Sequence, residues 1–415
     1  MSIDPQEFKR KREERARQRQ AKQRTLVLRL LIAGIALALC ITVIFLLTRK
    51  DDTPSTPSNL STQTTDSTAP ADTMIRLAAV GDLNVTEAAV ASGGAGYDYT
   101  DTFLDVAHLL ADADITTVNF EGNLFGTPYG TDRSAPQSMM TALKRIGVDM
   151  VQLSNSYSIY KGMQGLVQTI DGVRLAGMEP LGVYPNTQEA QKQKGYTLRT
   201  VQGVKIAFVA FTKGMDGMSL PAGNAGCVNL LYQDYSTDYQ KVDTEGITKI
   251  LDAVAKEKPD LTVALLHWGS EFNNTISQSQ KDICALLQEK GVDAILGTHS
   301  HYVQSITHDK TTGNFVAYSL GDFFGSADRA GSEYSIILEL EITKRADGSE
   351  TKITGYNYTP IFTVAEEGKP LRVVRIRQAM AAFDEEHLEH VSQETYDAMT
   401  YALQRIEARV NEPVK

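Results

Sequence analysis

Between Met74 and Phe324, short apolar runs alternate with longer amphipathic stretches, and this alternation limits the fold more than any other feature. IRLAAVGD, ITTVNFE, DMVQLSN, KIAFVAFT, LTVALLHWG, DAILGTH and FVAYSLGDF read as strands. Between several of them, PQSMMTALKRIG, MQGLVQTIDGVRLAG, GITKILDAVAKEK and SQSQKDICALLQEKG repeat apolar residues at helical spacing. Glycine follows many of these stretches and is a suitable helix C-cap. Further on, YSIILELEIT, KITGYNYTPIFTV and LRVVRIR follow one another with no helix between them, which predicts antiparallel strands. Residues 384–411 read as a final charged helix. The expected body is α/β with an antiparallel part towards its end.

Ahead of this body, Leu30–Thr48 is an uncharged apolar run of about the length that crosses a bilayer as a helix. Residues 1–50 carry a net charge of +8 within a chain of net −10, so the remainder is strongly acidic at −18. Basic residues before the run favour a cytoplasmic N-terminus and an extracytoplasmic body. A cleaved signal peptide is the alternative, but the run is longer than a usual signal core and lacks a small-x-small site at its end. LALC at 37–40 has Leu39 where a lipoprotein box needs a small residue, and the run continues past Cys40. Residues 51–72, rich in Ser, Thr and Pro, cannot build a core and read as a tether. The expected organisation is a basic tail (1–29), a transmembrane helix (30–48), a linker (49–73), the body (74–383) and a C-terminal helix (384–415). An acidic body disfavours nucleic acid as a partner. Three cysteines are too few for a disulfide scaffold; Cys227 and Cys284 read as buried thiols, with a bridge between them as the alternative.

Polar residues collect where the apolar runs end. Asp82 closes LAAVGD, Glu121 closes TTVNFE and Asn155 closes MVQLSN. His267 lies near the end of VALLHWG, and His299 and His301 follow AILGT. Strand C-terminal ends border the usual ligand crevice of an open α/β sheet. Taken singly, these are ordinary turn, cap or core residues. Together and in order, they make a mixed nitrogen and oxygen donor set, suited to one or two divalent ions such as Mn, Zn or Fe. His108 and His308 read as structural, and His387 and His390 as solvated.

The ordered set VGD, NFE, LHWGSEF, GTHSHYVQ and AYSLGDF resembles the CapA family of bacterial capsule (poly-γ-glutamate) synthesis proteins, over about residues 74–325. More distantly it resembles the calcineurin-like metallophosphatases. The resemblance implies a metallophosphatase-like sandwich of β-sheets flanked by helices, with metals at one edge. It implies Asp82, Glu121, Asn155, His267, His299 and His301 as metal-site residues, with Glu271 and Gln304 lining the site. The chain departs from the family at SNSYSIYKG (154–162). Ser156 stands where the family has a second asparagine, Tyr157 where it has histidine and Tyr160 where it has aspartate. Ser300 replaces the proline of the His-Pro-His motif, Asp322 replaces the asparagine of the last motif, and the arginine often found after Gly-Asp is missing. Tyr157 and Glu271 are left as candidate catalytic groups, Tyr157 being a weak acid at neutral pH with a reference pKa of about 10.

Two readings follow. One is a membrane-anchored extracytoplasmic protein of capsule or envelope-polymer synthesis or export, weakly catalytic or non-catalytic. Its partners would be the membrane, capsule-synthesis membrane proteins and an anionic polymer. The other is a metal-dependent hydrolase acting on a phosphoester or an envelope polymer, in which the ions clamp the reacting group and activate water. A plain adhesive ectodomain would need the strand-end cluster to be coincidence.

Overall fold

The computed structural model describes residues 71–325, 329–384 and 391–414. The basic tail, the expected transmembrane helix, nearly all of the linker, and His387 and His390 lie outside the described residues. Among the described residues no helix is long and apolar enough to cross a membrane.

The chain first lays down four parallel strands: β1 (Thr73–Asn84), β2 (Ile115–Glu121), β3 (Met150–Gln152) and β4 (Glu179–Leu181). It then builds a second sheet from β5 (Tyr196–Val201), β6 (Val204–Thr212), β7 (Leu261–His267), β8 (Ala294–Thr298), β9 (Ile306–His308) and β10 (Phe315–Ala317). It returns to the first sheet with β11 (Asp322–Phe324), β12 (Tyr334–Lys344), β13 (Thr351–Val364) and β14 (Arg372–Arg375). The first sheet runs β14-β13-β12-β1-β2-β3-β4, with β11 also pairing with β1; the second runs β5-β6-β7-β8-β10-β9.

The longer helices are α1 (Gln137–Arg145), α2 (Gly162–Leu175), α3 (Thr244–Glu257), α4 (Gln278–Glu289), α5 (Ile376–Asp384) and α6 (Gln393–Val410). Side chains cap the helix starts: Asp243 accepts from Gly246 N at the start of α3, and Ser277 with Gln280 forms a reciprocal capping box on α4.

Strand side chains alternate between two apolar layers, which explains why the runs carry so few polar residues. From β1, Ile75, Leu77 and Ala79 point into the layer between the sheets, where they meet Ile206, Phe208 and Ala210 of β6. Ala78 and Val80 point the other way and pack with Met139, Leu143, Leu166 and Ile170 of α1 and α2. Ala207, Val209 and Phe211 face Ile247, Leu251, Ile283 and Leu287 of α3 and α4. The order is helix, sheet, sheet, helix. Helix α6 is more than an appended tail, because Met399, Ala402, Ile406 and Val410 belong to the layer between the sheets.

Three local readings are corrected. FVAYSLGDF is not one strand; it splits into β10 and β11 in different sheets, breaking at Gly321 (φ 79°). LRVVRIR leaves the sheet at Arg375 and continues as α5. The final helix begins at Gln393 instead of near residue 384. Cys227 and Cys284 are free and buried, as expected.

Two glycines set the geometry near the crevice. A Cβ on Gly81 would lie 1.7 Å from Gly321 O, so only glycine lets β1 and the β11 segment meet there. A Cβ on Gly297 would lie 2.0 Å from Tyr318 O, and Trp268 fills the space beside it, donating to Tyr318 O at 2.9 Å.

Candidate metal centre

The C-terminal ends of β1, β2, β7 and β8 open on one edge, and β11 joins them beside β1. The register pairs Asp82 with both Asn119 and Asp322, and Asn84 with Glu121. Side chains two apart on a strand share a face, so Asp82 and Asn84, and Asn119 and Glu121, face the crevice together.

Five of the residues read from the strand ends gather here: Asp82, Glu121, His267, His299 and His301. None is more than 6% exposed. Their donor atoms fall into two compact groups, Glu121 with His267 and His299, and Asp82 with His301 and Asp322. Within each group the donors lie within 4.8 Å of one another. The His267 and His299 ring centroids are 4.3 Å apart.

His299 and His301 both adopt left-handed backbone conformations, with φ of 86° and 60°. That is uncommon for a non-glycine residue and persists only where neighbours fix it. His299 N–H donates to Asp82 Oδ2 at 2.9 Å. Ser300 O accepts from Phe272 N at 2.9 Å, and the His301 ring stacks on Phe272 at 4.7 Å. His301 Nδ1 lies 2.7 Å from Asp322 Oδ1. This backbone places the His299 ring with Glu121 and His267, and the His301 ring with Asp82 and Asp322.

Sequence reasoning missed two residues. Asn119 is the hub: its amide nitrogen donates to Asp82 Oδ1 at 2.6 Å and stands 3.4 Å from Glu121 Oε1 and 3.3 Å from His267 Nδ1. The signal was its position two before Glu121, on the same strand face. Asp322, noted only as a departure from the family motif, also ends an apolar run, as Asp82 does.

Asn155 lies beside these groups, bonded to the hub asparagine. Its nitrogen donates to Asn119 Oδ1 at 3.0 Å and to Phe120 O at 2.7 Å, and its oxygen accepts from Tyr157 N at 3.0 Å. It orients the hub and ties the loop after β3 to β2. Ser156 Oγ lies 3.0 Å from His267 Nε2. The Tyr157 hydroxyl accepts from Arg133 Nη2 at 2.7 Å. Burial raises this phenol to about 12 despite the guanidinium beside it, so at neutral pH it stays protonated and does not act as a base. Glu271 is exposed on the wall of a cavity of about 240 Å³ that reaches Ser156 and His299. Gln304 does not line the crevice; it donates to Asn273 O at 2.9 Å and braces the Glu271 loop.

The electrostatics fit a divalent cation. Burial raises the pKa of Asp82, and burial with the neighbouring Asp82 charge raises Glu121 well above the usual range. Neither carboxylate has a lysine or arginine within ion-pair distance among the described residues, although buried charges need such partners. Burial, followed by the other cationic groups around them, holds His267 and His299 neutral, the form that ligates metal. The Nδ1 atom of His299 is buried with no hydrogen-bond partner. Buried acids, the two neutral imidazoles and an orphaned ring nitrogen make a donor set of the Zn, Mn or Fe type, whereas His301, against the effect of burial, is held protonated up to about 10, chiefly by Asp322, and must release its proton to ligate.

The family model for bacterial capsule synthesis protein PGA_cap matches residues 76–326. The chain is 28% identical over 237 residues to capsule biosynthesis protein CapA of Bacillus anthracis, covering 55% of this chain and 54% of that one. It is 23% identical over 236 residues to PGA biosynthesis protein CapA of Bacillus subtilis, covering 56% and 58%. The chain thus matches little more than half the length of these curated relatives. Among solved structures, the calcineurin-like phosphoesterase YfkN of Bacillus subtilis aligns with 80% of this chain and 99% of that one, at 15% identity and a TM-score of 0.42. A likeness at that level decides nothing about the site. The family match covers more than half of the chain and spans every residue of both donor groups, and on that ground the chain belongs to the bacterial capsule synthesis protein PGA_cap family.

Proposed function

We propose that this chain is a membrane-tethered, extracytoplasmic protein of capsule or poly-γ-glutamate-type polymer synthesis or export, built around a divalent metal centre with weak or no hydrolytic turnover. The family and its CapA relatives support the polymer role. The basic tail and the apolar run Leu30–Thr48 support the tether and the topology.

One observation carries the metal reading: two buried three-residue donor groups lie side by side at the strand ends. Glu121, His267 and His299 would hold one ion, and Asp82, His301 and Asp322 a second. Bound there, a divalent ion would supply Lewis-acid polarisation of a substrate oxygen and activation of water. The chain's own residues do the positioning. Asn119 and the His299 N–H fix the Asp82 carboxylate, while Asp322 orients the His301 ring. Ser156 and Tyr157 present a hydroxyl and a phenol where an efficient hydrolase of this type would place an amide and an imidazole. An Arg133-bound phenol can steady a substrate oxygen, but a group with a pKa near 12 yields its proton poorly. The second reading, a metal-dependent hydrolase, is favoured by the completeness of both donor groups.

The test is metal analysis of the purified full-length chain, run beside turnover of a model phosphodiester with added Mn and beside polymer yield from cells lacking the chain. Bound divalent metal, near-background turnover and loss of surface polymer are expected. Brisk turnover favours the hydrolase, and unchanged surface polymer refutes the polymer role.

A further inference from the structure

Phe272, in the loop after β7, has a left-handed backbone (φ 51°), as His299 and His301 do in the loop after β8. Such a backbone is uncommon for a bulky side chain and persists where neighbours fix it. The Phe272 N–H joins the two loops by donating to Ser300 O at 2.9 Å. Its half-buried ring stacks on the His301 imidazole, with centroids 4.7 Å apart and planes 16° from parallel. The ring is itself held by other groups. Tyr302 meets it edge to face at 5.9 Å, and the Arg329 guanidinium carbon lies 4.0 Å from its centroid. The Tyr302 hydroxyl donates to Ala330 O at 3.1 Å. The cluster thus ties together the loop after β7, the loop that carries His301, and the segment after β11, the strand that starts at Asp322.

The two donor groups share these contacts unequally. His301 and Asp322 belong to one group, with Asp82. In the other, the rings of His267 and His299 lie 4.3 Å apart, and neither has a ring contact with Phe272 among the described residues. A ligating imidazole needs its ring fixed in orientation by a neighbour. The Asp322 contact at Nδ1 fixes His301 at one atom and leaves the ring free to tilt about it. A flat aromatic face stacked on the imidazole restricts that tilt. We propose that Phe272 is a positioning residue for the ion held by Asp82, His301 and Asp322, and that it does not govern the ion held by Glu121, His267 and His299. The inference rests on the metal centre proposed above. It assigns the role to the side chain, because the backbone bond to Ser300 is kept whatever side chain stands at 272, proline excepted.

The test uses the full-length chain as wild type, Phe272→Leu and Phe272→Tyr, each stripped by chelator and titrated with Mn by calorimetry and electron paramagnetic resonance. Leucine keeps bulk and loses the flat face, whereas tyrosine keeps the ring. Phe272→Leu should weaken one ion by at least about tenfold, the lower end of the usual cost of losing a residue that orients a ligand, and leave the other within about twofold. Phe272→Tyr should restore the weakened ion. A His301→Ala background identifies which ion it is: there Phe272→Leu should weaken Mn binding no further, because both changes act on one site. Without metal, loss of the aromatic ring current in Phe272→Leu should shift the NMR signal of the His301 ring proton and leave those of His267 in place. Should Phe272→Leu fail to fold, Phe272→Met takes its place with the same outcomes expected. Equal weakening of both ions would make Phe272 a merely structural residue and overturn the inference, as would an additive loss in the His301→Ala background. Metal uptake that Phe272→Leu leaves unchanged refutes the inference alone; a wild-type chain that takes up no metal refutes the metal centre, and the inference with it.

Discussion

Asp322→Asn restores the family's residue at the most heavily charged contact of the site, and its consequence can be worked out in sign and size. In the wild-type chain, burial opposes a charge on His301. The Asp322 carboxylate 2.7 Å away overrides it, with help from Glu121 and Asp82, and holds the imidazolium from its ordinary 6.5 up to about 10. At about 1.4 kcal/mol per pH unit, that rise corresponds to roughly 5 kcal/mol of favourable coupling at most. Asp322 shares this with two other carboxylates, and its removal also relieves repulsion on Glu121. A net loss of about 2 kcal/mol is therefore the working figure, below the 3–5 typical of breaking a buried pair. Because the folded pKa is raised, the stabilisation is complete below pH 6.5 and disappears as pH rises through about 10. Chelator-stripped wild type and variant should thus differ in Tm by about 3 °C at pH 6 and converge by pH 10. The assay is thermal unfolding by circular dichroism across that range, together with the NMR titration of the His301 ring proton. A Tm gap that is flat or widens with pH, or an unchanged His301 titration, refutes the reasoning.

Three further outcomes are expected. The double change His299→Ala with His301→Ala should remove bound metal, measured by elemental analysis, while the circular dichroism spectrum stays native; unchanged metal content would make the pair structural. Ser156→Asn with Tyr157→His should raise phosphodiesterase turnover by about 10²–10⁴-fold over a near-zero background, the usual contribution of a placed acid–base group; brisk wild-type turnover would contradict this. Protease added to intact cells should remove the body from about residue 74 onward and leave a small anchored fragment, and a protected or freely released body would overturn the proposed topology.

The sequence by itself determined the periodicities and the chemistry at their ends. A strand buried on both faces must be apolar throughout, so a polar residue at its end stands out: Asp82, Glu121, His267, His299 and His301 were legible for that reason. The buried thiols of Cys227 and Cys284 were legible as well. What it could not fix was which strand ends meet. Asp322 joins Asp82 only because the chain leaves β10 in one sheet, turns at Gly321 and enters β11 in the other. Asn119 became the hub only once β2 was in register with β1 and the loop carrying Asn155 folded across it. That same loop spends Asn155 on orientation, a role no spacing reveals. The left-handed backbone of His299 and His301 is likewise tertiary, since its cost is met by Asp82, Phe272 and Asp322 from distant segments. Propensity and period act over a few residues, whereas a site of buried acids and imidazoles exists only where long-range packing brings those few residues together.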